Sequence, residues 1–239
     1  MNSVHITLQG KGGVGKSFIS SLIAQYLRSQ DKDVTCLDTD PVNATFAGYK
    51  ALGVERVELM DAGTLDQRRF DEVIERIVET DSHFVLDNGA SSFLPLSSYL
   101  VENDAINLIA NNGKQVVVHT VITGGQALLD TLGGFVSLAE QLAGNVRLVV
   151  WLNEYFGDIE ADGKSFEEMQ AYIRNKDRVH GIVRIARQTS STFGKDVGLM
   201  LDAKLTFDEV DAGSTFGLMA KQRLRQVKRS IFEQLDAVL

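Results

Sequence analysis

Six short apolar runs rich in β-branched residues recur along the chain: VHITLQ (4–9), VTCLD (34–38), HFVLDN (83–88), QVVVHTVI (115–122), VRLVVWLN (146–153) and VHGIVRI (179–185). Each reads as a strand bounded by turn-forming or polar residues. Between them the apolar positions change to helical spacing. Ile19, Leu22, Ile23, Tyr26 and Leu27 share one helical face, as do Phe70, Val73, Ile74, Ile77 and Val78, and Leu128, Leu129, Leu132, Phe135, Val136 and Leu142. A further helix is expected to open at SFEE, where Ser165 and Glu168 have the spacing of a capping box. Strands alternating with helices predict an α/β fold, a doubly wound and mostly parallel sheet covered on both faces. Only two prolines, Pro41 and Pro95, interrupt the chain, and no Gly/Ser linker or repeat divides it, so residues 1–239 read as a single domain.

Composition narrows the classes without choosing among them. Hydrophobic residues make up 44% and charged residues 23%, which argues against both disorder and a membrane class. The N-terminal MNSVHITLQGK enters a strand directly, with no basic region leading into an apolar stretch, so a cytoplasmic protein is expected. Cys36 is the one cysteine and reads as a small core residue. The net charge of −8 argues against a surface that is basic throughout, although KQRLRQVKR (221–229) holds five basic residues and no acidic one.

The chemistry is concentrated in LQGKGGVGKSF (8–18). Gly10, Gly15, Lys16 and Ser17 fit the phosphate-loop pattern G-x-x-x-x-G-K-[ST], with a strand before it and a helix after it. Glycines let backbone N–H groups turn inward on phosphate oxygens, and the helix N-terminus adds partial positive charge. Lys16 would neutralise the β- and γ-phosphates, and the Ser17 hydroxyl would face Mg²⁺. Such an ion keeps several waters, which calls for carboxylates at neighbouring strand ends. Asp87 ends an apolar strand in the manner of a Walker-B segment; Asp38 and Asp40 end VTCLDTDP at the edge where ligands of open α/β sheets gather. Ser17 is followed by Phe18 rather than a second hydroxyl residue, leaving the α-phosphate to backbone N–H groups.

A phosphate loop needs one lysine, yet Lys11 stands before the glycines as well. GKGGVGKS resembles the deviant Walker-A motif of the ParA/MinD family of ATPases, and DTDP followed by Asn43 resembles that family's first switch. The resemblance implies a P-loop NTPase that binds ATP and Mg²⁺ through Gly10, Lys11, Gly12, Gly13, Val14, Gly15, Lys16, Ser17 and Phe18 and forms a homodimer on ATP binding. It gives Lys11 the role of crossing to the partner's phosphates, Asp40 that of positioning the attacking water, and Ser17, Asp38 and Asp87 the metal shell. Segments across nearly the whole chain, among them LDNGASSFLPLSSYL, VVVHTVITGGQALLDTLGGF and LVVWLNEYFGDIEADGKSFEEMQAYIRNK, are similar to a plasmid conjugal-transfer branch of the family, which implies other conjugative-transfer proteins as partners. Two departures stand out: Asn88-Gly89-Ala90 replaces a proline-rich second switch, and Val42 occupies a position in DPVN with no assigned role.

By the same resemblance Asn153, at the end of its strand, contacts adenine, and the loop from Arg184 and Ile185 to Gln188 covers the other side of the ring. No N-K-x-D guanine motif is present, so ATP is expected over GTP. Leu218, Leu224, Val227, Ile231, Leu235 and Val238 predict a C-terminal helix docked on the domain, with DNA or anionic lipid contact through its basic residues as the alternative. His119 and His180 read as satisfied core or edge residues, Trp151 as core, and His5 has no readable role. Gly124 and Gly125 read equally as a strand-to-helix turn and as a nucleotide-proximal or dimer-facing loop. A P-loop small-molecule kinase or ligase and a non-hydrolysing nucleotide-dependent scaffold stay open as other function classes.

Overall fold

In the computed structural model, which describes residues 1–61, 64–188 and 191–239, all six expected strands form. They are β1 (Asn2–Thr7), β2 (Val34–Asp38), β6 (His83–Asp87), β7 (Lys114–Thr123), β8 (Arg147–Asn153) and β11 (Val179–Ile185). A two-residue edge strand, β3 (Glu55–Arg56), completes a seven-stranded sheet of order β11-β8-β7-β1-β6-β2-β3, every pairing parallel. Two short antiparallel pairs lie outside it: β4 (Met60–Asp61) with β5 (Thr64–Leu65), and β9 (Glu160–Ala161) with β10 (Lys164–Ser165). The helices are α1 (Lys16–Ser29), α2 (Arg68–Glu79), α3 (Phe93–Glu102), α4 (Ala105–Asn111), α5 (Leu128–Gln141), α6 (Gln170–Asn175), α7 (Phe193–Asp202), α8 (Phe207–Ala212) and α9 (Leu218–Val238).

Alternation along the strands divides the core into two layers. Val4, Ile6, Leu148, Val150 and Leu152 join the layer under α2 to α6; Val85, Val117, Val121, Val149 and Trp151 join the layer under α1 and α7 to α9. Each layer is continuous, and both faces are covered, as a parallel sheet requires.

Two expectations are corrected. The capping box at Ser165 forms, with the Glu168 carboxylate accepting from the Ser165 N–H at 2.9 Å and from its hydroxyl at 2.8 Å, but it opens a single 3₁₀ turn, Phe166–Glu168. Met169 then returns to extended backbone before α6 begins. In α9, Leu218 lies off the packed face and is 79% exposed, whereas Leu224, Val227, Ile231 and Leu235 are buried and Val238 packs against Gly181.

The basic segment of α9 is largely neutralised by its own chain. Arg223 bonds Asp196 of α7 at 2.6 Å, Arg225 bonds Asp211 and Lys228 bonds Asp208 of α8, at 2.9 and 2.7 Å. Lys221 donates to the Asp211 and Gly213 carbonyls, which close α8. These four cations hold α7 and α8 against α9, which favours the docked-helix reading over a surface for DNA or lipid.

Candidate functional site

Strands β1, β2, β6 and β8 all end at one edge of the sheet, and the expected site residues converge there. The loop from Gly10 to Gly15 leaves β1 and enters α1 directly. Gly13 and Gly15 have φ of 74° and 102°, a left-handed conformation that favours glycine. Gly15 has a second constraint, because a Cβ there would stand 2.7 Å from the Asn153 amide nitrogen. Lys16 folds back over the loop, its Nζ donating to the Lys11 carbonyl at 2.9 Å. It is 8% exposed, and burial lowers its pKa while the charges of Asp87 and Asp40 oppose the shift.

Asp87 lies at the centre. Its Oδ2 accepts from the Ser17 hydroxyl at 2.5 Å and its Oδ1 lies 3.0 Å from the Ser20 hydroxyl. Burial pushes its pKa up to about 7; the neighbouring Asp38 charge adds to this, while the serine hydroxyls and Lys16 oppose it. Asp38, fully buried beside it, accepts from the backbone N–H of Asp40 and of Ala47 at 3.0 and 2.9 Å, and its pKa too is raised, chiefly by burial. Asp40 turns its Oδ1 onto the N–H groups of Val42 and Asn43, closing a tight Asx turn. The departure at Asn88-Gly89 has a packing reason: a Cβ on Gly89 would come within 2.6 Å of Asp40 Oδ1. Thr39 ties together the segments that follow β2 and β6, its hydroxyl donating to the Asp87 carbonyl at 2.9 Å.

A cleft of about 520 Å³ runs along this edge, lined by Gly12, Gly13, Lys16, Ser17, Phe18 and Asp40 among others. Val42 lines it too, 70% exposed at the rim. Beside it lies an apolar recess of about 120 Å³, walled by Phe18, Ile185, Val197, Leu201 and Val227, with Asn153 at its back. Asn153 is held by the loop: its Nδ2 donates to the Val14 carbonyl at 2.9 Å and its Oδ1 accepts from the Tyr155 N–H at 3.2 Å. Val14 is itself buried, and Gly10 packs against Phe93. Ile185 reaches the recess but the Arg184 side chain does not; it turns away to ion pairs with Glu154 and Glu167. Gly124 and Gly125 form a strand-to-helix turn in which Gly124 abuts the Asp158 carbonyl so closely that a Cβ would sit 2.3 Å from it.

Lys11 has an unforeseen partner. Its ammonium bonds Asp130 of α5 at 2.7 Å, with both side chains about half exposed. Nothing local announces a contact across 119 residues of sequence. Ser20, which the sequence reading does not single out, carries a local signal: it lies three residues beyond Ser17 on the same helical face. Among the described residues no cluster of three or more His, Cys, Asp or Glu side chains could chelate a metal by itself.

A model of the CobQ/CobB/MinD/ParA nucleotide-binding domain matches residues 6–194, from the first strand to the start of α7. The chain belongs to that family. Two Escherichia coli proteins named TraL are similar to it over almost their full lengths. One is 51% identical over 237 residues, 99% of this chain and 98% of the relative, and the other 49% identical over 236 residues with the same coverage. Among solved structures, the MinC:MinD cell division protein complex of Aquifex aeolicus superimposes with a TM-score of 0.55 at 13% identity, covering 97% of this chain and 96% of that one. A plasmid partition protein from Borrelia burgdorferi B31 bound to AMPPNP gives 0.53 at 12% identity over 100% of both chains. At such identities these structures speak to the fold alone, and they agree with the parallel sheet described above.

Proposed function

We propose that this protein is an ATP-binding, ATP-hydrolysing switch of the ParA/MinD type that dimerises over nucleotide and serves conjugative plasmid transfer in the cytoplasm alongside other conjugative-transfer proteins. The observation that carries the reading is the buried pairing of Ser17 with Asp87 directly beneath the loop that holds Lys16. Two carboxylates buried side by side, one of them raised to about 7, form an anionic pair that a divalent cation would relieve. A Mg²⁺ ion fits that donor set: the Ser17 hydroxyl would bind it and Asp38 and Asp87 would hold its waters. When bound, the ion would draw charge from the transferred phosphoryl group.

The remaining roles belong to the chain. The loop N–H groups and Lys16 hold the phosphates, and the apolar recess between Phe18 and Ile185 suits an adenine ring. Asp40, at the rim of the cleft, is the candidate to orient the attacking water once its Asx turn opens. In this reading Lys11 leaves the site and reaches a second subunit's phosphates. Its ion pair with Asp130 is exposed, and such pairs are worth about 0–1 kcal/mol, less than a charge-assisted bond to phosphate. The dimer and the partners rest on the family relationship and on similarity to TraL.

Nucleotide binding, sedimentation and hydrolysis measured on one set of variants test these roles separately. Lys16→Ala is expected to lose nucleotide binding. Lys11→Ala should keep binding but lose the ATP-dependent dimer, and Asp40→Ala should keep both while losing hydrolysis. An unchanged ATP-bound dimer in Lys11→Ala removes the trans assignment; equal turnover in Asp40→Ala removes Asp40 from the reaction.

A further inference from the structure

A line of hydrogen bonds crosses four strands diagonally, from near the loop-side ends of β8 and β7 to the first residues of β1 and β6 at the opposite edge of the sheet. Trp151 of β8 donates its indole N–H to Nδ1 of His119 in β7 at 3.0 Å. His119 Nε2 lies 2.9 Å from His5 Nδ1 in β1, and His5 Nε2 lies 2.7 Å from the Ser3 hydroxyl. The Ser3 hydroxyl in turn lies 2.8 Å from Nδ1 of His83 in β6.

The chemistry of the two ends fixes the direction of every bond. An indole nitrogen only donates, so His119 Nδ1 is bare and its proton sits on Nε2, facing His5. His5 Nδ1 therefore accepts, and its Nε2–H donates to Ser3. At the far end the Ser3 backbone N–H also donates to His83 Nδ1, at 3.2 Å, which requires that nitrogen to be bare as well. Both ends agree. His83 carries its proton on Nε2, the one ring nitrogen in the line without a partner among the described residues.

That nitrogen belongs to a side chain only 9% exposed, which lines a cavity of about 350 Å³. Lys32 and Arg147 line the same cavity, and neither side chain has a hydrogen bond or ion pair among the described residues. In a protein of net charge −8, two unpaired cations beside a buried N–H donor form a local exception. Met1 and Leu239 line the cavity as well, and their terminal groups bring one charge of each sign. Asp236 is engaged by the Tyr26 hydroxyl at 2.9 Å, and at His83 the charge of Asp33 is outweighed by those of Lys32 and Lys114.

We propose that this cavity binds a small oxyanion, a phosphate or a carboxylate, with His83 Nε2–H, Arg147 and Lys32 as its donors. A guanidinium grips such an anion through two parallel N–H bonds, the ammonium adds a point charge, and the imidazole N–H, locked by the relay, supplies a neutral donor of fixed direction. The site lies across the sheet from the nucleotide cleft and does not depend on what that cleft binds.

The test follows the His83 imidazole by NMR while the full chain is titrated with inorganic phosphate and, separately, with succinate. His83 Nε2–H is expected to shift saturably, and Arg147→Gln to weaken the response about ten-fold, the worth of one charge-assisted bond. Lys16→Ala should leave it intact, and Arg147→Lys should fall between wild type and Arg147→Gln. A response to phosphate alone identifies the ligand as a phosphate, and one to succinate alone as a carboxylate. The proposal is overturned by an unmoved His83 signal up to about 20 mM of both anions, a range that captures any millimolar site. It is also overturned by a response that Lys16→Ala abolishes and Arg147→Gln keeps.

Discussion

Replacing His5 by phenylalanine removes one neutral, buried imidazole from the relay and leaves the His119 Nε2–H without its acceptor. Burial holds the His5 pKa near 3, against 6.5 for a solvated histidine, with the His83 charge adding to the shift. The folded state therefore binds no proton at His5 over a range in which the unfolded chain does. Its contribution to stability is complete above the unfolded value and is lost as the pH falls from about 6.5 toward about 3. Between about pH 7.5 and about pH 5 the unfolded chain gains RT ln(1 + 10^1.5) from this group, or about 2 kcal/mol, that the fold cannot match. Urea unfolding of wild type and His5→Phe at both pH values measures this directly. The unpaired donor should cost the variant about 1–3 kcal/mol at the higher pH, and that penalty should shrink by about 2 kcal/mol at the lower one. In melting temperature the gap closes by about 4–8 °C for a chain of this size. Asp87 responds to pH in the opposite sense, but it is present in both proteins and drops out of the difference. A penalty that does not change with pH would refute the neutral, buried assignment of His5.

Asp87→Asn is expected to stabilise the nucleotide-free protein at about pH 8 by as much as ~4 kcal/mol, because a carboxylate whose pKa rises from 3.8 to about 7 on folding opposes the fold above that range. The gain should shrink to about 0.5 kcal/mol near pH 4 and vanish near pH 2, where the wild-type group is protonated in both states, and a pH-independent gain would contradict the assignment. Gly89→Ala places a Cβ within 2.6 Å of Asp40 Oδ1 and must displace it. Hydrolysis should drop by about ten-fold or more while nucleotide affinity stays within about three-fold, since a positioning fault acts on turnover rather than on binding. A proportionate loss of both in steady-state kinetics and calorimetry would place the fault in the loop instead.

The elements whose signal is local were legible in the sequence. Six strands and the long helices follow from periodicity, because burial of one or both faces repeats every two or about every 3.6 residues. The phosphate loop was readable for a related reason, since a backbone that wraps phosphate needs its glycines, lysine and serine at fixed offsets. Helices α3, α4, α7 and α8 were not read. All are short, and α4 and α8 run for only seven and six residues, where packing outweighs propensity. The SFEE turn shows the same limit: a capping box can satisfy one turn without a helix following it.

What the sequence determined by itself was the fold class and the glycine loop between β1 and α1, with acids at the ends of the neighbouring strands. The tertiary structure decided how those groups are used. It set Asp87 beneath Ser17 and Ser20, turned Arg184 away from the recess, gave Lys11 to Asp130, and neutralised most of the basic face of α9 with aspartates of α7 and α8. It also joined His5, His83, His119 and Trp151, which look like unrelated core residues when read along the chain. The physical reason is common to all of these. Ion pairs and buried hydrogen bonds depend on distances of about 3 Å between groups far apart in sequence, and only the packing of the sheet sets those distances.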